Sequence, residues 1–237
     1  MEAMEDETSD VERALDNPIW SCLAGRHAHL ALGQTLARRY PPVISPLAGL
    51  PGAGLANIEA LAAVVDVGDD VGIFEPFVPT LPTTWETLHA LRLTQMIRTD
   101  PSLLPDGDAD ASILGAADVP EMLALVELTQ PGPFRPRTIE LGTYVGIREG
   151  GRLVAMAGER MWIGSFRELS AVCTHPDARG RGYAQALIKR VINRMLRAGE
   201  TPFLHVEIGN TRAIEIYLAL GFIRRAEFAL LHAKRIG

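Results

Sequence analysis

One segment, from Glu168 to Ala198, constrains the fold of this chain more than any other. It begins with an apolar run typical of a buried strand, continues through a loop rich in glycine and arginine, and ends in a run whose apolar residues recur every three or four positions. That spacing predicts a helix, which Gly199 would end. A strand that turns through glycines into a helix presents unpaired amides and a partial positive charge, so the segment predicts a phosphate site.

Two common phosphate-binding loops do not fit this segment. The dinucleotide-binding loop of the Rossmann fold requires a third glycine where the chain has Gln185, and the sequence contains no Gly-Lys-Ser or Gly-Lys-Thr of a P-loop. The pattern that fits is Arg179-x-x-Gly182-x-Ala184. The loop is therefore of another kind, in which arginines accompany the glycines.

A second patterned block follows in the chain. Residues 203–208 read as a strand, Asn210 is a favourable N-cap for a short helix over 211–220, and Gly221 ends that helix. Tyr217 comes seven residues after Asn210, close to two helical turns, so both side chains are expected to project toward the same side.

The two blocks resemble the signature of the GNAT acyltransferases, the family that transfers acetyl groups from acetyl-CoA to amines. The second block, Asn210 to Phe222, is similar to the FR47-like branch, and the resemblance covers roughly residues 110–237. It implies an α/β fold of the α+β type, with a mixed, mostly antiparallel sheet flanked by helices. It also implies acetyl-CoA as a co-substrate and no metal.

The resemblance assigns cofactor-binding roles to three elements. The strand at residues 172–174 would hold the pantetheine arm, the glycine loop would hold the diphosphate, and the second helix would meet the same arm. The residues so implied are Val172, Cys173, Thr174, Arg179, Gly180, Arg181, Gly182, Tyr183, Ala184, Asn210 and Tyr217.

Acyl transfer to an amine needs one group that protonates the departing thiolate and another that deprotonates the ammonium. Tyr217 is the candidate acid, because a phenol can hydrogen-bond a thiolate; the alternative is an aromatic side chain packed in the core. Glu168 and Glu207, on the two predicted strands, are the candidate bases, and the alternative for each is a solvated glutamate. Cys173 and His175 could form a nucleophile and its base, or Cys173 could be a small buried residue.

A proline-rich loop at 129–137 follows a helix predicted over 119–128. By the resemblance this loop would line the acceptor site, with Phe134 and Arg135 as substrate contacts; the alternative is a rigid surface connection. The acceptor would be a small-molecule or protein amine. In the same resemblance the first half of the chain is a degenerate GNAT-like partner that shapes the acceptor cleft.

Composition and pattern divide the chain into three predicted parts. Residues 1–15 are acidic and poor in apolar residues, which is typical of a disordered tail. Residues 16–107 are expected to form a helix-rich α/β accessory domain, with a helix over 27–39 and a strand over 85–97. Residues 108–237 are expected to form the GNAT domain.

The net charge of −6 argues against a nucleic-acid partner, but the charge is unevenly distributed. From residue 171 onward the sequence has eleven basic and five acidic residues, a net charge of +6, which leaves a net charge of −12 for the first 170 residues. A basic segment around the glycine loop suits a polyanion such as CoA.

Two cysteines, no apolar run of membrane-spanning length and an acidic N-terminus predict a cytoplasmic protein with no membrane partner. We expect a monomer or a homodimer.

Two functions are compatible with these features. The first is an acetyl-CoA-dependent N-acetyltransferase in which a primary amine attacks the thioester directly in a ternary complex. The alternative is a non-catalytic acyl-CoA-binding sensor or partner-binding module. The presence of Tyr217, Asn210 and both loop glycines favours the enzyme.

Overall fold

The computed structural model describes residues 12–52, 54–76, 78–105 and 110–237. Within these ranges eleven strands form a single sheet, and helices pack on both of its faces. The strands are β1 (Leu32–Gly33), β2 (Arg38–Arg39), β3 (Leu47–Gly49), β4 (Asp70–Glu75), β5 (Trp85–Ile97), β6 (Ala111–Leu114), β7 (Tyr144–Glu149), β8 (Arg152–Ile163), β9 (Phe166–Thr174), β10 (Thr201–Glu207) and β11 (Ile223–Arg235). The helices used below are α1 (Pro18–Ala24), α2 (Leu55–Ala62), α3 (Val119–Thr129), α4 (Tyr183–Arg197) and α5 (Thr211–Ala219).

The strands follow the order β1-β2-β3-β4-β11-β5-β10-β9-β8-β7-β6 across the sheet. Among the described strands, β3 with β4 and β9 with β10 are the parallel neighbours, and the other neighbours are antiparallel. The expected mixed, mostly antiparallel sheet flanked by helices is therefore confirmed. Both predicted strand–helix units of the second half are present, because β9 leads through the glycine loop into α4 and β10 leads into α5.

Strand β5 joins the two halves of the chain. It has the predicted bounds, 85–97, and lies between β10 and β11. β10 pairs with residues 93–97 of β5, and β11 pairs with β5 along the whole length of both strands. The sheet thus continues across the predicted boundary at residue 107, and the division into an accessory domain and a GNAT domain stays a prediction about independent folding.

The sheet has two covered faces. On the first, the α4 face, α4 and α5 pack against the sheet through a cluster that includes Leu187, Leu204 and Val206. The second, the α1 face, is covered by α1 and α3. Phe203 points to this face, because successive residues of β10 alternate between the two faces and its neighbour Leu204 points to the α4 face. The predicted amphipathic pattern of α4 explains its position, since its apolar residues are buried and its basic ones lie on the opposite side.

The helix predicted over 27–39 is wrong. The structure has a short 3₁₀ turn there, followed by a hairpin of β1 and β2. Gly33 adopts a left-handed φ of +91°, and the amide of Gln34 donates to the carbonyl oxygen of Ala37 at 3.0 Å, which closes the hairpin. A left-handed glycine interrupts a helix, so the turn prevails over the helical spacing of the apolar residues.

Candidate functional site

β9 and β10 separate along their length. Their parallel ladder covers only the first three residues of each strand and ends at Glu168 and Phe203. Beyond that point β10 continues along β5, while β9 continues along β8 to Thr174. Within the described residues, the facing edges of the two strands then have no strand partner, so backbone donors and acceptors border the opening. The opening lies beside residues 172–174, which the family resemblance predicts to bind the pantetheine arm.

A bulge in β9 begins at this opening. Ala171 adopts a left-handed φ of +52°, and the register between β8 and β9 shifts between Met156 and Gly158. A non-glycine residue in this conformation costs on the order of 1–3 kcal/mol and persists only where its surroundings hold it. A bulge re-aims the chain that follows it, so this one sets the direction of residues 172–174.

The residues after the bulge have different environments. Val172 is partly buried, whereas Cys173 is buried, and burial raises the pKa of its thiol to about 11. Such a thiol stays protonated near neutral pH, which favours a small buried residue over a nucleophile. His175 is engaged in a turn, where its Nδ1 accepts from the amide of Asp177 at 3.2 Å. The buried Oγ1 of Thr174 has no hydrogen-bond partner in the described part of the chain.

The glycine loop has the backbone of an anion-binding turn. Gly180 and Gly182 have left-handed φ values of +81° and +79°. Gly182 caps α4, and its carbonyl oxygen accepts the first helical bond from the amide of Ala186 at 3.0 Å. The amides of residues 180–185 have no main-chain acceptor in the described ranges, and a Cβ on either glycine would meet no atom within 4 Å. Open space and unused amides at a helix N-terminus fit a diphosphate.

The two loop arginines differ in their contacts. Arg179 is exposed. Arg181 donates to the Oε1 atom of Glu149 at 2.6 Å and to the carbonyl oxygen of Asp177 at 3.1 Å. The hydroxyl of Tyr183 donates to the same Glu149 oxygen. Because Glu149 belongs to β7, no local sequence pattern indicates this contact.

Helix α5 brings the second block against the first. The predicted N-cap is confirmed, since Oδ1 of Asn210 accepts from the amide of Ala213 at 3.2 Å. Tyr217 is buried in the cluster that joins α4, α5 and β10, and its ring meets Phe222 edge-on at 5.8 Å. Burial raises the pKa of Tyr217 to about 12. Its phenol is therefore protonated at neutral pH.

Glu168 is fully buried on the α1 face and receives three hydrogen bonds. Its two oxygens accept from the guanidinium of Arg160, each at 2.7 Å, and Oε1 also accepts from Nδ1 of His205 at 2.8 Å. Burial alone would raise the pKa of Glu168, but the charge and hydrogen bonds of Arg160, with the bond from His205, lower it to about 2. A carboxylate held in this way is a poor proton acceptor near neutral pH.

The second contact of His205 defines its protonation. The side chain of Gln95 is oriented by two bonds, because its Oε1 accepts from Arg225 at 2.9 Å and its Nε2 donates to the carbonyl oxygen of Leu15 at 3.0 Å. Nε2 of Gln95 also lies 3.1 Å from Nε2 of His205, so the imidazole accepts at that nitrogen. His205 is thus neutral and donates from Nδ1, and burial lowers its pKa.

Glu207 is exposed at the end of β10, beyond the last β9–β10 pair. The alternation of β10 places it on the α1 face together with Phe203 and His205. It pairs across the sheet with Leu93 of β5, a residue of the cluster on that face. Of the two candidate bases, Glu207 is the one that is exposed to solvent.

The proline-rich loop packs on the α1 face. Phe134 is buried, and its ring meets that of Tyr144 edge-on at 5.5 Å. Arg135 pairs with Asp70 of β4 at 3.0 Å, and Asp70 also lies 2.7 Å from Nε2 of His232. Both predicted acceptor contacts therefore have structural partners, and the half-exposed Arg135 links this loop to the first half of the chain.

Comparison with known proteins assigns the family. The model of the family described as FR47-like protein matches residues 144–230, and no curated protein matches the chain. A solved structure of a GNAT-family protein from Novosphingobium aromaticivorans is 35% identical, with 93% of this chain and 98% of that chain covered and a TM-score of 0.86. This chain belongs to the GNAT family.

Two further structures share the GNAT fold at low sequence identity. A GCN5-related N-acetyltransferase from Kribbella flavida is 17% identical over 92% of this chain and 94% of that chain, with a TM-score of 0.61. A GCN5-related N-acetyltransferase-like protein from Streptococcus suis is 13% identical over 96% of this chain and 98% of that chain, with a TM-score of 0.53. These GNAT likenesses extend into the first half of the chain.

None of the GNAT protein's helices in the described ranges has the length and apolar character needed to cross a membrane. Its described residues also contain no group of three or more His, Cys, Asp or Glu side chains arranged to hold a metal ion.

Proposed function

We propose that this GNAT protein is an acetyl-CoA-dependent N-acetyltransferase, in which a primary amine attacks the thioester directly in a ternary complex. The observation that carries the proposal is the opening between β9 and β10, whose β9 side leads straight into the glycine loop and α4. An extended amide-containing arm can hydrogen-bond to free strand edges, while a diphosphate contacts the loop amides. Coenzyme A carries both groups in one molecule.

The residues present fit this ligand. The strand segment 172–174 would hold the pantetheine arm, and the loop from Arg179 to Ala184 would hold the diphosphate through its unused amides. Bound acetyl-CoA supplies an activated acyl group. Asn210 contributes mainly by capping α5, since its side-chain oxygen is engaged with the amide of Ala213.

Two groups are assigned to the charge that develops during transfer. The amides of the bulge at Ala171 and Val172 are assigned to the thioester oxygen, because preorganised backbone donors stabilise a developing oxyanion. Tyr217 is assigned to the departing sulfur. With the pKa of Tyr217 at about 12 and that of an ordinary thiol near ~8.5, complete proton transfer to the thiolate would cost about 5 kcal/mol. Tyr217 therefore acts as a hydrogen-bond donor to the departing thiolate, and the thiolate is protonated by the proton that the attacking amine loses, carried through solvent.

Deprotonation of the attacking ammonium is assigned to Glu207, directly or through a water molecule. Glu207 is exposed on the α1 face next to the opening, whereas Glu168 is saturated by Arg160 and His205. Glu168 then has a structural role, because it lies in the last pair before β9 and β10 separate. Its ion pair fixes the point at which the opening begins.

The acceptor is proposed to be a cation that approaches from the α1 face. The exposed Glu207 lies on that face, and the first 170 residues of the sequence carry a balance of −12. Such a charge attracts an ammonium ion over the distance of the approach. Small-molecule amines and protein amines both meet this requirement.

The proposal is tested by calorimetric titration with CoA and by thiol release from acetyl-CoA in the presence of a panel of amines. The panel contains amino acids, polyamines, aminoglycosides and lysine peptides. We expect CoA binding and thiol release that requires at least one amine. Binding without release for every amine would support the sensor alternative, and a lack of CoA binding would refute both functions.

A further inference from the structure

A carboxylate is bound to the arginine side of the glycine loop. Oε1 of Glu149 accepts from Nη1 of Arg181 at 2.6 Å and also from the hydroxyl of Tyr183. These partners are 32 and 34 residues away in the chain, so the contact is made by the fold. Glu149 ends β7, directly before the hairpin turn that leads into β8.

The position of this carboxylate conflicts with the chemistry of the loop. The loop amides and the N-terminus of α4 favour an anion, and the planar guanidinium of Arg181 binds carboxylate and phosphate oxygens in the same forked geometry. Glu149 therefore forms an ion pair with an arginine that a diphosphate would otherwise bind. Once a diphosphate is bound, Glu149 is a like charge close to it.

We propose that Glu149 is a built-in competitor of the CoA diphosphate: it holds Arg181 when CoA is absent and lowers the affinity for CoA. This inference rests on the proposed function, because it requires that the glycine loop binds the diphosphate. On binding, Arg181 exchanges the Glu149 oxygen for a phosphate oxygen. The same competition favours release of CoA after transfer.

The exposure of the pair allows this exchange. The side chains of Arg181 and Glu149 are 51% and 33% exposed, and an ion pair at the surface is readily opened. Glu149 also keeps a donor when Arg181 leaves, since the hydroxyl of Tyr183 bonds to the same oxygen. Arg179 differs, because it is exposed and has no ion pair among the described residues. The loop thus contains one exposed arginine, Arg179, and one that is already paired with a carboxylate, Arg181.

The test compares the full-length protein with Glu149→Gln by calorimetric titration, using CoA and 3′-dephospho-CoA as ligands. Glutamine keeps the size of the side chain and its hydrogen-bonding capacity but removes the charge. We expect Glu149→Gln to bind both ligands about three- to tenfold more tightly, since both carry the diphosphate. The matched control is Glu140→Gln, which removes the carboxylate of another exposed ion pair, that of Glu140 with Arg137. Glu140 lies next to Leu141 of the α1-face cluster, away from the glycine loop. The affinity of this control for both ligands should equal that of the parent protein.

Each of the following results would overturn the inference. Equal or weaker binding by Glu149→Gln would show that the carboxylate does not compete. An equal gain in Glu140→Gln would show a general effect of net charge, and a gain restricted to CoA would show that Glu149 opposes the 3′-phosphate instead. If the parent protein binds neither ligand, the proposed function fails as well; if it binds CoA and releases thiol without a gain in Glu149→Gln, the competitor role alone fails.

Discussion

Replacing Glu168 by glutamine separates a structural role from a catalytic one. The substitution keeps the shape of the side chain and removes its charge, which leaves the guanidinium of Arg160, 10% exposed, without a buried counter-charge. Removing one partner of a buried ion pair costs about 3–5 kcal/mol, because the other charge stays buried. We therefore expect the free energy of unfolding of Glu168→Gln to fall by about that amount at neutral pH.

The pKa of Glu168 gives a second route to the magnitude. The difference between its usual pKa of 4.5 and its folded-state pKa of about 2 corresponds to about 3 kcal/mol. Because the folded-state pKa is depressed, this stabilisation is present above pH 4.5 and is lost as the pH falls toward 2. The stability difference between the parent protein and Glu168→Gln should therefore shrink in that window.

The assay is urea unfolding, followed by tryptophan fluorescence and far-UV circular dichroism, together with turnover per folded molecule in low urea. We expect Glu168→Gln to lose stability and to keep its turnover number within about threefold. The control is Glu207→Gln, an exposed carboxylate, which should unfold within about 0.5 kcal/mol of the parent protein. Its turnover should fall by about 100-fold or more, as expected for loss of a general base.

One result would refute this reasoning. If Glu168→Gln unfolds like the parent protein but loses turnover, Glu168 is the general base despite its three hydrogen bonds. The assignment of that role to Glu207 would then be wrong.

Three further predictions concern the loop, the candidate acid and the sheet. Gly182→Ala should lower stability by about 1–2 kcal/mol through its left-handed backbone and weaken CoA binding at least tenfold, whereas Gly199→Ala, equally left-handed and equally open, should lose similar stability and keep its CoA affinity. Tyr217→Phe should lower the turnover number about 10- to 100-fold and leave the calorimetric Kd for CoA within about twofold, and equal losses in both would indicate a packing role. A fragment of residues 108–237 should show no cooperative thermal unfolding, because β10 and β11 lose β5; a sharp transition would show that this part folds alone.

Local spacing was sufficient for the elements around the site. The apolar period of α4, the left-handed glycines of its loop and the cap at Asn210 are properties of neighbouring residues, so the sequence contains them directly. The strand at 85–97 was predicted with its observed bounds for the same reason. The helix predicted over 27–39 failed because a single left-handed glycine, at 33, outweighs an apolar period.

The roles of the candidate carboxylates depended on contacts between distant strands. Glu168 has the same local pattern whether it is solvated or buried, and only the approach of Arg160 and His205 makes it a buried carboxylate with three hydrogen bonds. A histidine inside the apolar run of β10 was a usable signal, because a buried polar side chain needs a partner. No comparable signal marked Glu149 as the partner of Arg181.

By itself, then, the sequence determined the strand, loop and helix that form the candidate CoA site, because hydrogen bonds and side-chain periods within a few residues specify them. The tertiary structure decided which carboxylate is accessible, which arginine is occupied, and that β5 lies between β10 and β11. Those outcomes depend on the desolvation and pairing of groups far apart in the chain, and such energies exist only once the sheet has formed.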